Sequence, residues 1–394
     1  MFTFHLMNPS LRLKILILIS FIAFISLGLP DGLLGIAWPF ISDRLNIPLD
    51  NLGVLLMFFV AGYLSSSLTN SKIMSVITLG WLLALSCFLT GTSLFAFTVS
   101  NQWVFLILSA YFLGAGGGAI DTSLNIFASA NFSPSVVNWM HAFYGIGATS
   151  GPLILTWFFT MGLTWKSGYI LVGSIQISLG ILFLLTSKMW AIKGEVKEIQ
   201  QKVSYRLTLK NPMVWLSILI FFIYTGLEVS VGQWLFTVLT KSRYVTVESG
   251  GLWVSTFWGS LTAGRVLFGF ILKKASTVKV LYLAVIGIIL GSFTFIIDFS
   301  DIISFMGIVL IGFSCAPVFP SMIALVPDLF GEKSAANIIG FQISAAMAGG
   351  AILPAASGFL TDFYGWEVIP LSFLIQSLLL AFAYFILIKN LKKK

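Results

Sequence analysis

Three carboxylic acids, Asp31, Asp121 and Glu228, lie inside apolar runs long enough to cross a bilayer, whereas the other acids fall in polar breaks or near the ends of such runs. A charge at the bilayer centre costs about 2.5–3.5 kcal/mol on insertion scales, and ionisable groups kept there usually serve protons, ions or substrates. Burial favours the neutral form of a carboxyl, and wetting lets it ionise, which is what a proton carrier requires. Asp121 fits that chemistry best. It follows Gly114-Ala115-Gly116-Gly117-Gly118-Ala119-Ile120, and Asn125 lies one helical turn further on its face. Close helix packing would account for the glycines but poorly for the acid. Asp121 is therefore the expected proton-coupling residue, with Asp31 and Glu228 as the other two candidates.

A second group of polar residues has the chemistry to hold a neutral polyol, which needs amide or carboxylate partners and an aromatic face. Asp31 follows Pro30 and on a helix shares its face with Gly28, Gly35 and Trp38. Glu228 has Tyr224 one turn before it; Gln233 and Trp234 flank its face, an orientation that Gly226 and Gly232 leave open. His141 shares a stripe with Asn138, Gly145 and Pro152, and Tyr144 stands three residues beyond. An unperturbed histidine titrates near neutrality, but His141 among apolar neighbours reads as a substrate or helix contact. The expected substrate set is Asp31, Asn125, Asn138, His141, Tyr144, Glu228, Gln233, Trp234, Trp258 and Gln342. Arg265, after Gly264, reads as a gate or interhelical anchor.

The elements that must position these residues are membrane helices. Of 394 residues 58% are hydrophobic and 9% charged, where a soluble chain would carry about 25% charged residues. A crossing takes about 20 residues, so twelve fit. The apolar runs predict spans at 15–40, 52–71, 74–98, 102–129, 135–162, 166–188, 212–240, 249–272, 279–298, 302–326, 335–361 and 367–389. The first run is too long for a cleavable signal peptide and contains Pro30 and Asp31. Of 22 lysines and arginines, 17 fall on the side of the N-terminus, Arg265 is within a span, and Arg44, Lys166, Lys241 and Arg243 fall on the other side. This bias puts both termini in the cytoplasm.

The basic segment 191–211 reads as a cytoplasmic linker between an N-terminal bundle, 1–190, and a C-terminal bundle, 212–394. Gly28 and Gly226 share an offset of 198 residues, as do Gly114 and Gly312, a faint trace of two similar six-span halves. The expected fold is an all-α membrane protein of twelve transmembrane helices in two pseudo-symmetric six-helix bundles. Enzyme motifs are absent: there is no HExxH, and Gly331-Glu332-Lys333-Ser334 lacks the glycine-lysine step of a phosphate loop. Cys87 and Cys315 sit in apolar runs and form no disulfide or CxxC framework. The net charge of +8 sits in loops and tails, which speaks for membrane topology and against nucleic acid.

The residues resemble those of the major facilitator superfamily, and within it the fucose–galactose–glucose:proton symporter branch. Asp31 in Pro30-Asp31-Gly32-Leu33-Leu34 resembles the span-one acid of the fucose permeases. Asp121-Thr122-Ser123-Leu124-Asn125 is similar to their Glu-Thr-x-x-Asn, with aspartate replacing glutamate. Asn138 to Tyr144 lines up with their span-five polar segment, His141 standing for a glutamine and Tyr144 for an asparagine. Met140 to Ala148, Tyr224 to Ser230 and Phe257-Trp258-Gly259 before Gly264-Arg265 are closer to the sodium-dependent glucose transporter relatives. The segment Gly62-Tyr63-Leu64-Ser65-Ser66-Ser67, read as the span 2–3 loop, lacks the superfamily's acidic and basic gating residues. The resemblance implies proton-coupled hexose uptake by a monomer in the cell (inner) membrane, with no cofactor beyond the coupling ion. Sodium coupling is the first alternative. Proton-driven export of amphiphilic compounds is the second, because Gly147-Ala148-Thr149-Ser150-Gly151-Pro152 resembles an antiporter motif.

Overall fold

A computed structural model describes residues 8–190, 205–272 and 274–391. The predicted linker therefore lies mostly outside the described residues, as does the side chain of Asn138. Twelve long helices account for most of the described chain: α1 Pro9–Leu45, α2 Leu52–Met74, α3 Leu79–Val99, α4 Trp103–Asn131, α5 Pro134–Thr160 and α6 Trp165–Leu185, then α7 Pro212–Thr237, α8 Val247–Ile271, α9 Thr277–Ile297, α10 Asp301–Cys315, α11 Glu332–Tyr364 and α12 Val368–Leu391. Ten spans among the described residues are long and apolar enough to cross a membrane. Helices α5 and α8 are as long, at 27 and 25 residues, and carry more hydroxyl, amide and glycine positions.

The helix ends follow local chemistry. Asn8 and Asn211 accept hydrogen bonds from the amides of Ser10 and Met213, each at 3.0 Å, with proline next in sequence; this satisfies orphan donors of the first turn. Ser300 caps α10 in the same manner through Ile303 N. One predicted span is not a single helix. The run 302–326 breaks after Cys315 and resumes as Val318–Ala324, because Pro317 has no amide hydrogen and its ring clashes with the preceding turn. The Cys315 carbonyl at this break accepts the Tyr224 hydroxyl at 2.9 Å.

The helices form two compact units, the first of residues 1–47 and 54–198, the second of 48–53 and 199–394. Within the first, α1 packs on α5, and α3 on α4 and α6; within the second, α7 packs on α11, and α9 on α10 and α12. The pairing scheme repeats six helices later, and glycines carry it. A Cβ on Gly114 would strike the Phe59 carbonyl across α2–α4, and a Cβ on Gly312 would strike the Phe257 carbonyl across α8–α10. Both residues of each contact are related by the same 198-residue offset. Likewise Gly147 meets the Ile25 carbonyl on α1, and Gly349 meets the Phe222 carbonyl on α7. Without a hydrophobic force between helices in lipid, such backbone approach supplies the packing.

Candidate functional site

In the first unit, α4 brings Asp121 against α2. The Tyr63 hydroxyl donates to Asp121 Oδ2 at 2.5 Å, and Asn125 Nδ2 donates to Asp121 Oδ1 at 2.9 Å. The seam continues through Ser67 with Thr122 at 2.8 Å and Ser123 with Asn70 at 3.0 Å. Tyr63, Ser67 and Asn70 occupy positions i, i+4 and i+7 of α2, so one helical face presents all three. The segment Gly62–Ser67 is thus the interior of α2 and not the loop between spans two and three. Tyr63 is not among the residues expected from sequence. The available signal was a polar i, i+4, i+7 stripe in an apolar helix, with small Gly62 and Ser66 one turn apart. Both carboxylate oxygens of Asp121 thus accept hydrogen bonds.

Asp31 on α1 accepts the Tyr144 hydroxyl of α5 at 2.5 Å. The first unit thus holds two polar clusters, Tyr63 with Asp121 and Asn125, and Tyr144 with Asp31. His141, an exposed residue one turn before Tyr144, stands edge-on to Phe24 with ring centroids 5.3 Å apart. Trp38 does not join either cluster as a stacking ring. It is fully buried and packs against Trp103 at 6.2 Å, while Gly28 on the same face is closed by the Tyr144 carbonyl and the Ala148 amide of α5. At Gly28 and Trp38 this face of α1 is packed against neighbouring helices.

In the second unit, Tyr224 donates to Glu228 Oε2, and Arg265 Nη2 lies 3.5 Å from Glu228 Oε1. Both charged side chains are largely buried, 23% exposed for Arg265 and 12% for Glu228. Arg265 is thus an interhelical partner from α8 to the acid of α7. The aromatic and amide residues expected beside Glu228 are placed differently. Helix α7 runs unbroken past Gly226 and Gly232, so the phase turns Trp234 away from Glu228. Its indole is fully buried, donates to the Pro354 carbonyl at 2.9 Å and covers Gly358 on α11. Trp258 is 5% exposed and packs on Gly232, while Gln342 is fully buried and donates to Ser217 Oγ at 2.5 Å. Gln233 is likewise buried. Trp234, Trp258, Gln342 and Gln233, all of the expected substrate set, are buried within this unit. Two of them fill glycine slots, Trp234 at Gly358 and Trp258 at Gly232.

These features define a helical, multi-pass membrane protein with ionisable groups held by hydroxyl and amide partners within its helices, the construction of a transporter. The sequence pattern of the Major Facilitator Superfamily matches residues 16–300 and 297–394. The chain belongs to that superfamily and is a transporter, not an enzyme. It is 25% identical over 361 residues to the glucose/mannose transporter GlcP of Bacillus subtilis, covering 87% of each chain. It is 22% identical to the mouse sodium-dependent glucose transporter 1A, covering 87% of this chain and 88% of that one. Among solved structures, the nucleoside transporter NupG superimposes with a TM-score of 0.72 at 17% identity, covering 97% of this chain and 100% of the other. A variant of the E. coli fucose:proton symporter FucP gives 0.63 at 15% identity, with 97% and 98% covered.

Proposed function

We propose that the chain is a secondary active transporter that carries a neutral, hexose-like sugar together with a proton by alternating access. In this reading it acts in the cell membrane with both termini cytoplasmic and with two bundles joined by the linker 191–211. The observation that carries the proposal is the company of Asp121. Its hydrogen-bond partners are a phenol and an amide, Tyr63 and Asn125, whereas Glu228 has the guanidinium of Arg265. A carboxyl with neutral partners can take up and release a proton without breaking an ion pair. One inward proton contributes about 2.3 kcal/mol per 100 mV of membrane potential, enough to concentrate a neutral solute. Asp31, Tyr144, His141 and Asn125 supply hydroxyl-binding groups in the same unit. The names of GlcP and FucP, a glucose/mannose transporter and a fucose:proton symporter, support a sugar as cargo.

A second reading, sodium coupling through the same acids, draws on the likeness to the sodium-dependent glucose transporter. Counterflow in proteoliposomes with a hexose panel, with and without sodium and a pH gradient, separates the two. Asp121→Asn keeps the shape and removes the titration. It is expected to retain exchange between equal pools and to lose accumulation on a proton gradient; accumulation by that variant would remove Asp121 from the coupling role.

A further inference from the structure

The two acids of the first unit are held by one construction used twice. Gly28 precedes Asp31 by three residues on α1, and Gly118 precedes Asp121 by three residues on α4. In each case a tyrosine from the crossing helix lays its backbone on the glycine and sends its hydroxyl to the acid one turn away. The Tyr144 carbonyl closes over Gly28 while its hydroxyl meets Asp31; the Tyr63 carbonyl closes over Gly118 while its hydroxyl meets Asp121. A Cβ on Gly118 would lie 2.5 Å from the Tyr63 carbonyl oxygen and 2.9 Å from its Cα. Any side chain there must push α2 away from α4 and withdraw the phenol. Glu228 is built differently, since its tyrosine stands one turn earlier on its own helix.

We infer that Tyr63, delivered by the Gly118 crossing, is the positioning residue that sets the proton affinity of the coupling acid Asp121. The inference rests on the assignment of coupling to Asp121. The hydroxyl donates to the carboxylate, so its presence changes the balance between the charged and neutral forms. Asn125 of α4 donates to the same carboxylate and Thr122 of α4 bonds Ser67 of α2, while α1 and α5 hold the other acid of the unit, Asp31, under the Tyr144 hydroxyl.

The test is infrared titration of the purified full-length protein, following the protonated-carboxyl band that disappears in Asp121→Asn. Tyr63→Phe should move its midpoint by half a pH unit or more, about a threefold change in proton affinity. Gly118→Ala should produce a shift of the same sign, and Tyr63→Phe/Gly118→Ala no more than the larger single shift, because both act through one contact. Thermal melting identifies folded samples, and if Gly118→Ala fails to fold, Tyr63→Phe decides alone. An unchanged midpoint in Tyr63→Phe overturns the inference, as does full additivity of the two substitutions. Transport distinguishes this from failure of the coupling assignment: Asp121→Asn that still accumulates glucose on a pH gradient refutes Asp121 as carrier, whatever Tyr63 does to its titration.

Discussion

Arg243 should be a costly single charge to remove from the second unit. It follows the π turn Val238–Ser242 at the end of α7 and is 6% exposed, against 42% for Asp298 and 53% for Glu367. Its two terminal nitrogens lie 3.1 Å from these carboxylates, Nη2 also donates to the Phe295 carbonyl at 2.9 Å, and the guanidinium sits 4.2 Å from the Phe295 ring centroid. Ser242 and Ser304 donate to the same two carboxylates. The ends of α7, α9, α10 and α12 therefore meet on one cation. Because the acids are half-exposed, each ion pair adds only about 0–1 kcal/mol. The buried charged bond to Phe295 adds about 1.5–3 kcal/mol, and the ring contact about 0.5–1 kcal/mol. Arg243→Ala should thus cost about 3 kcal/mol, a fall in melting temperature on the order of 6–12 °C for a unit of this size. Thermal unfolding in detergent measures it, and a fall under about 3 °C would refute the accounting. The pH dependence has a definite sign. Burial alone would raise the Glu367 carboxyl, but hydrogen bonds from Arg243 and Ser242 and the guanidinium charge outweigh it and hold it below the ordinary value of 4.5. Its contribution is therefore complete above the ordinary value and lost as pH falls through the lower folded one. Arg243→Ala should flatten this acid limb.

Three further outcomes follow from the packing and the topology. Trp234→Ala should lose about 3–5 kcal/mol of stability, as expected for a fully buried indole, with substrate affinity of the folded fraction unchanged; a selective affinity loss would return the ring to the site. Arg265→Ala should destabilise by about 3–5 kcal/mol by leaving Glu228 uncompensated, and Arg265→Ala/Glu228→Gln should recover most of it. Equal melting of the single and double variants would show that the pair is not coupled. An impermeant thiol reagent should label a cysteine placed at Lys166 or Lys241 in intact cells but not one at Lys197, with the native Cys87 and Cys315 silent because they are buried. Labelling at Lys197 from outside would invert the proposed topology.

The sequence by itself determined the solvent, the element type and the residues worth watching. A chain with 9% charged residues must satisfy its backbone internally in lipid, so apolar runs of this length become helices. Acids inside those runs stand out by their burial cost alone. The 198-residue offset of Gly114 and Gly312 was legible as well, though only the structure shows why: their carbonyl partners Phe59 and Phe257 keep the same offset. Tertiary structure decided the partners. Helical phase places Asn125 beside Asp121, but no spacing along one helix reveals that Tyr63 arrives from α2, 58 residues away. Nor does spacing reveal that Arg265 of α8 lies 3.5 Å from Glu228. Trp234, Trp258 and Gln342 have chemistry that suits a sugar, and in the structure they are buried against Gly358, Gly232 and Ser217. An aromatic or amide in a membrane helix serves packing and binding equally well, and the choice between them depends on which helix faces it, a relation that exists only once the chain has folded.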